Sequence, residues 1–143
     1  RNCCSQNGFH LNGDYKKRGV SQFHYRPFTL EANMCAADSL QEMLLQTEDS
    51  TINLFPAIPE EWLEETVSFE HFRAENGLLV SATMKNGKIV TVCFEPERNQ
   101  KVLVKKKEIL SGLICNVKCE SIDFNNAIEL DLRAGVCYSF ETK

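Results

Sequence analysis

Residues 67–95, VSFEHFRAENGLLVSATMKNGKIVTVCFE, decide the fold of this chain. They contain three strand-length runs in which apolar and polar side chains alternate with period two. The runs are residues 67–74, 78–85 and 88–95. Asn-Gly pairs at 76–77 and 86–87 separate them, and this dipeptide reaches the positive φ angles that a two-residue hairpin turn requires. The stretch therefore predicts a three-stranded antiparallel meander.

Further strand-like runs follow the meander. They are residues 101–105, 113–119, 127–132 and 136–140, which makes seven predicted strands in all. In the last run, apolar Val136, Tyr138 and Phe140 alternate with Cys137 and Ser139, so one face is expected on the core. Short strands with turn signals between them predict an antiparallel β-sandwich.

One amphipathic helix is predicted before the strands, after an irregular segment over residues 1–30. Ala36, Leu40, Met43 and Leu44 recur at helical spacing, and this stripe is expected in the core. Asn33 is the predicted N-cap, and residues 47–50 are the predicted end of the helix. The fold class expected from the sequence is thus mainly β with one helix.

The composition of the chain limits the kinds of partner that we expect it to bind. Lysine and arginine total 16 against 20 aspartate and glutamate residues, giving a net charge of −4, so nucleic acid is not an expected partner. No apolar run is long enough for a membrane span, and the start does not resemble a signal peptide. The chain begins at Arg1 without an initiator methionine, from which we expect a segment of a longer protein.

Seven cysteines are many for 143 residues, but their spacing does not form a disulfide framework. Five of them fall in predicted helix or strands and are expected to be reduced and buried, like small hydrophobic residues. These are Cys35, Cys93, Cys115, Cys119 and Cys137. Paired CxxC motifs are missing from the sequence, so we predict no metal and no cofactor. Location stays open, with free cysteines favouring the cytoplasm.

The sequence contains no GxSxG, P-loop, GxGxxG or HExxH motif, and two features could instead contact a ligand or solvent. Trp62 lies between glutamate pairs at 60–61 and 64–65; it either anchors a charged turn on the core or offers a platform for a sugar ring. Lysines 105–107 are expected to form a solvated turn. Glu31 precedes the predicted helix, and the positive end of the helix dipole favours a carboxylate at this position.

Three ordered segments resemble glycoside hydrolase family 95, which contains inverting α-L-fucosidases and relatives acting on α-L-galactosides. Residues 26–33 (RPFTLEAN) resemble the family's F-Q-I-D-G-N, residues 41–46 (QEMLLQ) its E-M-L-L-Q-S, and residues 52–62 (INLFPAIPEEW) its L-L-P-A-L-P-x-x-W. The order and spacing of the three segments also match the family. The likeness covers about residues 25–95 and becomes diffuse towards Lys143.

The resemblance implies a longer parent enzyme with an (α/α)6 catalytic barrel. Residues 1–50 would be the end of that barrel and residues 51–143 a carboxyl-terminal β-sandwich. Glu31 matches the family's aspartate, which helps to polarise the attacking water, and Asn33 and Arg26 are the implied substrate-binding residues. The general acid would lie upstream of this chain, so the isolated segment is expected to be inactive towards its oligosaccharide substrate.

Two other functions stay open from the sequence. The chain could be a β-sandwich that binds carbohydrate or a protein without hydrolysing anything, or a purely structural module that supports a barrel. If the rest of the parent is removed, the apolar face of the helix is expected to be exposed, and self-association should follow.

Overall fold

The computed structural model describes residues 31–105, 110, 112–124 and 126–142, with side chains from residue 34 onwards. The chain divides into two units, Arg1–Leu40 and Gln41–Lys143, and all the described strands belong to the second. The irregular segment predicted for residues 1–30 lies outside the described residues, as do Lys106 and Lys107 of the predicted lysine turn. The predicted domain boundary at residue 50 stays a prediction.

Besides two short 3₁₀ turns over Glu60–Trp62 and Glu75–Gly77, the described elements are one α-helix and ten strands. In chain order they are α1 (Glu31–Leu44), β1 (Leu45–Glu48), β2 (Thr51–Leu54), β3 (Thr66–Ala74), β4 (Leu78–Lys85), β5 (Lys88–Pro96), β6 (Gln100–Lys105), β7 (Leu113–Cys115), β8 (Glu120–Phe124), β9 (Ala127–Leu132) and β10 (Tyr138–Thr142). The mainly β class with one helix is therefore confirmed. No helix among these described elements is long and apolar enough to cross a bilayer.

The strands form two five-stranded sheets. The first sheet has the order β1-β2-β6-β9-β8, and the second has the order β3-β4-β5-β10-β7. Every pairing is antiparallel except that of β2 with β6, which is parallel. Two largely antiparallel sheets that share one core are consistent with the predicted β-sandwich.

A single hydrophobic core contains the inward-facing side chains of both sheets. The first sheet contributes Ile52, Leu54, Val102, Val104, Leu130 and Leu132, and the second contributes Phe69, Leu78, Val80, Met84, Val92, Phe94, Tyr138 and Phe140. The rings of Phe94 and Phe140 pack edge to face, with their centroids 6.0 Å apart. Period-two alternation puts these side chains on the inner faces, as the sequence predicts.

The meander is confirmed, but only its second turn has the predicted two residues: Lys85 pairs with Lys88 around Asn86 and Gly87. The first turn has three residues, Glu75–Gly77, which form a short 3₁₀ turn between the paired Ala74 and Leu78. Strands β3, β4 and β5 pair in sequence order. Asn76 and Gly77 have φ angles of 57° and 70°, and Asn86 and Gly87 have φ angles of 50° and 69°. These are the left-handed conformations that asparagine and glycine tolerate better than other residues.

The predictions for the two ends of the helix are both wrong. The helix begins at Glu31, so Asn33 lies inside its first turn rather than at the N-cap, and it ends at Leu44 rather than within residues 47–50. The backbone N–H of Phe55 donates to the carbonyl of Leu44 at 2.8 Å. That bond satisfies a carbonyl which the helix itself leaves free, so the chain can pass directly into β1.

The apolar stripe of the helix is only partly buried. Leu44 is buried and Met43 is half-buried, whereas Ala36 and Leu40 are exposed. Period alone shows that a helix has an apolar face, but it does not show that this chain supplies the surface that covers the face.

The seven predicted strands become ten. Strands β1, β2 and β8 were not predicted, the run at 113–119 is a strand only over Leu113–Cys115, and the last strand is Tyr138–Thr142 instead of 136–140. The hairpin between β1 and β2 turns through Asp49 and Ser50, whose φ angles are 49° and 61°. No glycine marks this turn; instead the N–H of Ser50 donates to Glu75 at 3.1 Å, a contact that sequence spacing does not reveal.

Replacement of Phe94 by alanine tests the shared core. Phe94 is fully buried, so Phe94→Ala should lower the free energy of unfolding by about 3–5 kcal/mol. Phe124 in β8 is 48% exposed and provides the matched control, since Phe124→Ala should change stability by about 0.5 kcal/mol or less. Urea unfolding followed by tryptophan fluorescence measures both; equal losses in the two variants would contradict the assignment of the core.

Candidate functional site

The residues that the resemblance implicates lie at the edge of the described structure or beyond it. Glu31 is the first residue of α1 and Asn33 lies in its first turn, and the structure describes only the backbone of both. Arg26 lies outside the described residues. Their catalytic and substrate-binding roles therefore stay predictions.

Trp62 ends a short 3₁₀ turn over Glu60–Trp62. Its backbone N–H donates to the carbonyl of Pro59 at 3.0 Å, and its side chain is half-buried, while Glu61 and Leu63 beside it are exposed. The indole is thus partly packed and partly open to solvent. This environment leaves both the anchor and the sugar-platform interpretations in place.

Four chemically reactive side chains meet on the outer face of the second sheet. The Sγ atoms of Cys93 and Cys137 are 3.0 Å apart, and Cys93 Sγ lies 4.0 Å from Glu95 Oε1. The same carboxylate oxygen lies 3.2 Å from His71 Nε2. We call these four residues the thiol–carboxylate cluster.

Strand β5 positions two members of the cluster by simple alternation. Val92, Phe94 and Pro96 point into the core, so Cys93 and Glu95 between them point outwards. Both outward side chains are half-buried, because neighbouring strands cover them on either side.

A β-bulge positions His71. Phe69 pairs with Ala82 and Phe72 pairs with Val80, so Glu70 and His71 together face Ser81 alone. His71 has a φ angle of 53°, a left-handed conformation that costs a residue with a Cβ roughly 1–2 kcal/mol. The backbone N–H of His71 donates to Ser81 Oγ at 2.9 Å, which fixes the bulge.

Cys137 lies just before β10 and is held from two directions. Asn116 Nδ2 donates to the carbonyl of Cys137 at 3.2 Å, and Asn116 Oδ1 accepts from the N–H of Ser139 at 2.9 Å. The N–H of Gly135 donates to the carbonyl of Pro96 at 3.0 Å, which ties the preceding loop to the end of β5. These hydrogen bonds thus hold the backbone of Cys137 beside Cys93.

Burial raises the pKa of the Cys93 thiol to about 12, with further contributions from the hydrogen bond to Cys137 and from nearby carboxylates. The thiol is therefore protonated at neutral pH. His71 and Glu95 have side chains 61% and 38% exposed, so their contact is a surface pairing that adds little stability by itself.

A shallow groove of about 300 Å³ runs over this face and includes His71 and Cys93. Its other polar lining residues are Glu70, Ser81, Thr83, Thr91, Ser139 and Glu141. A second pocket of about 310 Å³ is lined by charged residues of both signs, including Lys118, Glu120, Asp131 and Arg133. Of the thiol–carboxylate cluster, His71 and Cys93 line the first groove, and none of the four residues lines the second pocket.

The prediction that the cysteines are buried is wrong. Cys35 and Cys137 are exposed, and the other three described cysteines are half-buried. Strand alternation explains the error, because Cys93 lies between inward-facing Val92 and Phe94 and must point outwards. All five described thiols are free.

Sequence reasoning missed the cluster, although one signal for it was present. In β3 the apolar positions change parity, from Val67 and Phe69 to Phe72 and Ala74, and such a change indicates a bulge. The approach of Cys137 to Cys93, across 44 residues of sequence, has no comparable signal.

Comparison of the chain with protein-family models and with curated proteins finds no match. The likeness to glycoside hydrolase family 95 thus depends on the three motifs alone.

Substitution of His71 tests the bulge. His71→Gly and His71→Ala both remove the imidazole, but only glycine relieves the left-handed backbone. His71→Gly should therefore be more stable than His71→Ala by about 1 kcal/mol in urea unfolding. The opposite order, with alanine more stable, would contradict the bulge geometry.

Proposed function

We propose that this chain is the carboxyl-terminal part of an inverting glycoside hydrolase that resembles the α-L-fucosidases of family 95. In this proposal α1 is the last helix of a catalytic barrel, and the two sheets are the β-domain that follows it. The observation that carries the proposal is the ordered set of three motifs. Residues 31–33 of the first motif lie at the start of α1, the second motif covers the end of α1 and the start of β1, and the third runs from β2 to Trp62.

The exposure of apolar side chains on α1 supports a helical partner. Met34 is 64% exposed and Leu40 is 46% exposed, although both are residues that usually lie in a core. A neighbouring barrel helix would cover them. Without the rest of the parent chain, the same side chains give the segment a reason to self-associate.

Glu31 is the proposed catalytic carboxylate. An inverting glycosidase needs one carboxylate to activate water and an acid on the opposite face of the sugar, roughly 6.5–9.5 Å away. The amino end of α1 carries a partial positive charge, which favours the ionised form that a base requires. Asn33, one position beyond Ala32, and Arg26 are the proposed contacts to the sugar, and the acid belongs to the upstream barrel.

The matched pair Glu31→Gln and Glu42→Gln in the full-length parent tests this role. Both positions are glutamates of α1, but only Glu31 falls on the family's catalytic motif. Glu31→Gln should lower kcat for an aryl α-L-fucoside by about 10²–10⁴-fold, the range for loss of a general base. Glu42→Gln should leave kcat unchanged.

Unchanged turnover in Glu31→Gln would overturn the catalytic assignment and favour the structural module. Hydrolysis by the isolated 143-residue chain would contradict the proposal that the acid lies upstream. Oligosaccharide binding by the isolated chain, abolished by Trp62→Ala, would instead favour a non-catalytic carbohydrate-binding domain and count against the first proposal.

A further inference from the structure

We propose that Cys93, Cys137 and Glu95 form a binding site for a thiophilic divalent cation of the zinc class, with His71 as the residue that positions the carboxylate. The two Sγ atoms and one carboxylate oxygen lie within 4.8 Å of one another, so a single ion can contact all three. The site lies within the β unit and does not depend on the proposed glycosidase function.

The ligand atoms need only small shifts to reach the separations of a tetrahedral zinc site. Zinc binds sulfur at about 2.3 Å and carboxylate oxygen at about 2.0–2.2 Å, so two bound sulfurs lie about 3.8 Å apart and a bound sulfur and oxygen about 3.5 Å apart. Here the sulfurs are 3.0 Å apart, and Cys93 Sγ is 4.0 Å from Glu95 Oε1. Side-chain rotation of exposed Cys137 can supply the difference.

The ligand chemistry selects the class of ion. Thiolate ligands favour zinc and other thiophilic metals, whereas magnesium and calcium prefer sites made wholly of oxygen. A thiol that coordinates zinc loses its proton, because the charge of the ion stabilises the thiolate directly. Three protein ligands leave the fourth tetrahedral position to a solvent molecule on the exposed side of Cys137.

The surroundings of the three ligands resemble a metal site more than an ordinary surface. A histidine that pairs with a coordinating carboxylate restricts its orientation, and His71 Nε2 lies 3.2 Å from Glu95 Oε1. Glu141 adds negative charge beside Cys93, and its carboxylate accepts a hydrogen bond from Ser139 Oγ at 2.8 Å. The left-handed backbone at His71 destabilises the fold, and a strand with a purely structural role does not require it.

A disulfide between Cys93 and Cys137 is the alternative explanation for the two sulfurs. It would account for their proximity but not for the positions of Glu95 and His71 beside them. The test therefore keeps the thiols reduced, so that the two chemistries give different results.

The test is a zinc titration of the reduced 143-residue chain, with free thiols counted before and after. Competition against a chromogenic chelator gives the affinity, and replacement by Co²⁺ gives a thiolate-to-metal charge-transfer band if sulfur is a ligand. We expect one zinc ion per chain and a cobalt band that zinc abolishes.

Single substitutions assign the ligands. Cys93→Ser and Cys137→Ser should each weaken binding by about 100-fold or more and remove the cobalt band, and His71→Ala should weaken it by about 10–100-fold, as for other partners of metal ligands. Cys119→Ser is the matched control, because Cys119 is also half-buried but lies outside the cluster, and it should bind like the wild type. Glu95→Gln, at a partly exposed side chain, tests the third ligand with little risk to folding.

Failure of the reduced wild-type chain to bind zinc would overturn the proposal. Affinity unchanged in both Cys93→Ser and Cys137→Ser would also overturn it, as would an equal loss in Cys119→Ser. Circular dichroism of each variant separates loss of the site from loss of the fold.

Discussion

The alternation of side chains along β5 is the constraint on which the rest of the structure depends. Val92 and Phe94 point inwards and are fully buried, which requires Cys93 and Glu95 to point outwards. A shift of one residue in the pairing of β5 would put a thiol and a carboxylate into an apolar core and two large apolar groups into water. The energetic cost of that exchange specifies one register, so the core and the thiol–carboxylate cluster are fixed together.

The neighbours of β5 extend this constraint across the second sheet. Strand β10 pairs so that Tyr138 lies opposite Phe94 and Ser139 lies opposite Cys93, which brings Cys137 to the outer face beside the cluster. Strand β3 departs from regular pairing at its bulge, and this departure turns His71 towards Glu95. The regular alternation of β5 thus supplies Cys93 and Glu95, and the bulge in β3 and the loop before β10 add His71 and Cys137.

The sequence predicts those parts of the fold that depend on local chemistry. Asn-Gly turns and period two locate the meander, because these signals act within a few residues. The β1–β2 hairpin turns through Asp49 and Ser50 with help from distant Glu75, and the helix ends where Phe55 returns to cap it; both depend on contacts that sequence separation hides. The cluster was only partly predictable for the same reason. The bulge at His71 is visible in the sequence as a change of parity of the apolar positions in β3, but the contact of Cys93 with Cys137 depends on tertiary structure alone. The proposed glycosidase role depends on the resemblance of three motifs to a family, not on periodicity or spacing. The proposed metal site depends on the distances between side chains in the structure.

Mild oxidation of the reduced chain, followed by peptide mapping, tests the register of β5 most directly. If Val92 and Phe94 face the core, Cys93 lies beside Cys137, and the Cys93–Cys137 disulfide should be the main product among the described cysteines. This reaction needs little movement of the chain, since the backbone of Cys137 is already held in place and the two Sγ atoms start 3.0 Å apart. Preferential linkage of Cys93 to Cys115 or Cys119, or a Cys93 that stays unreacted while Cys137 pairs elsewhere, would contradict this account.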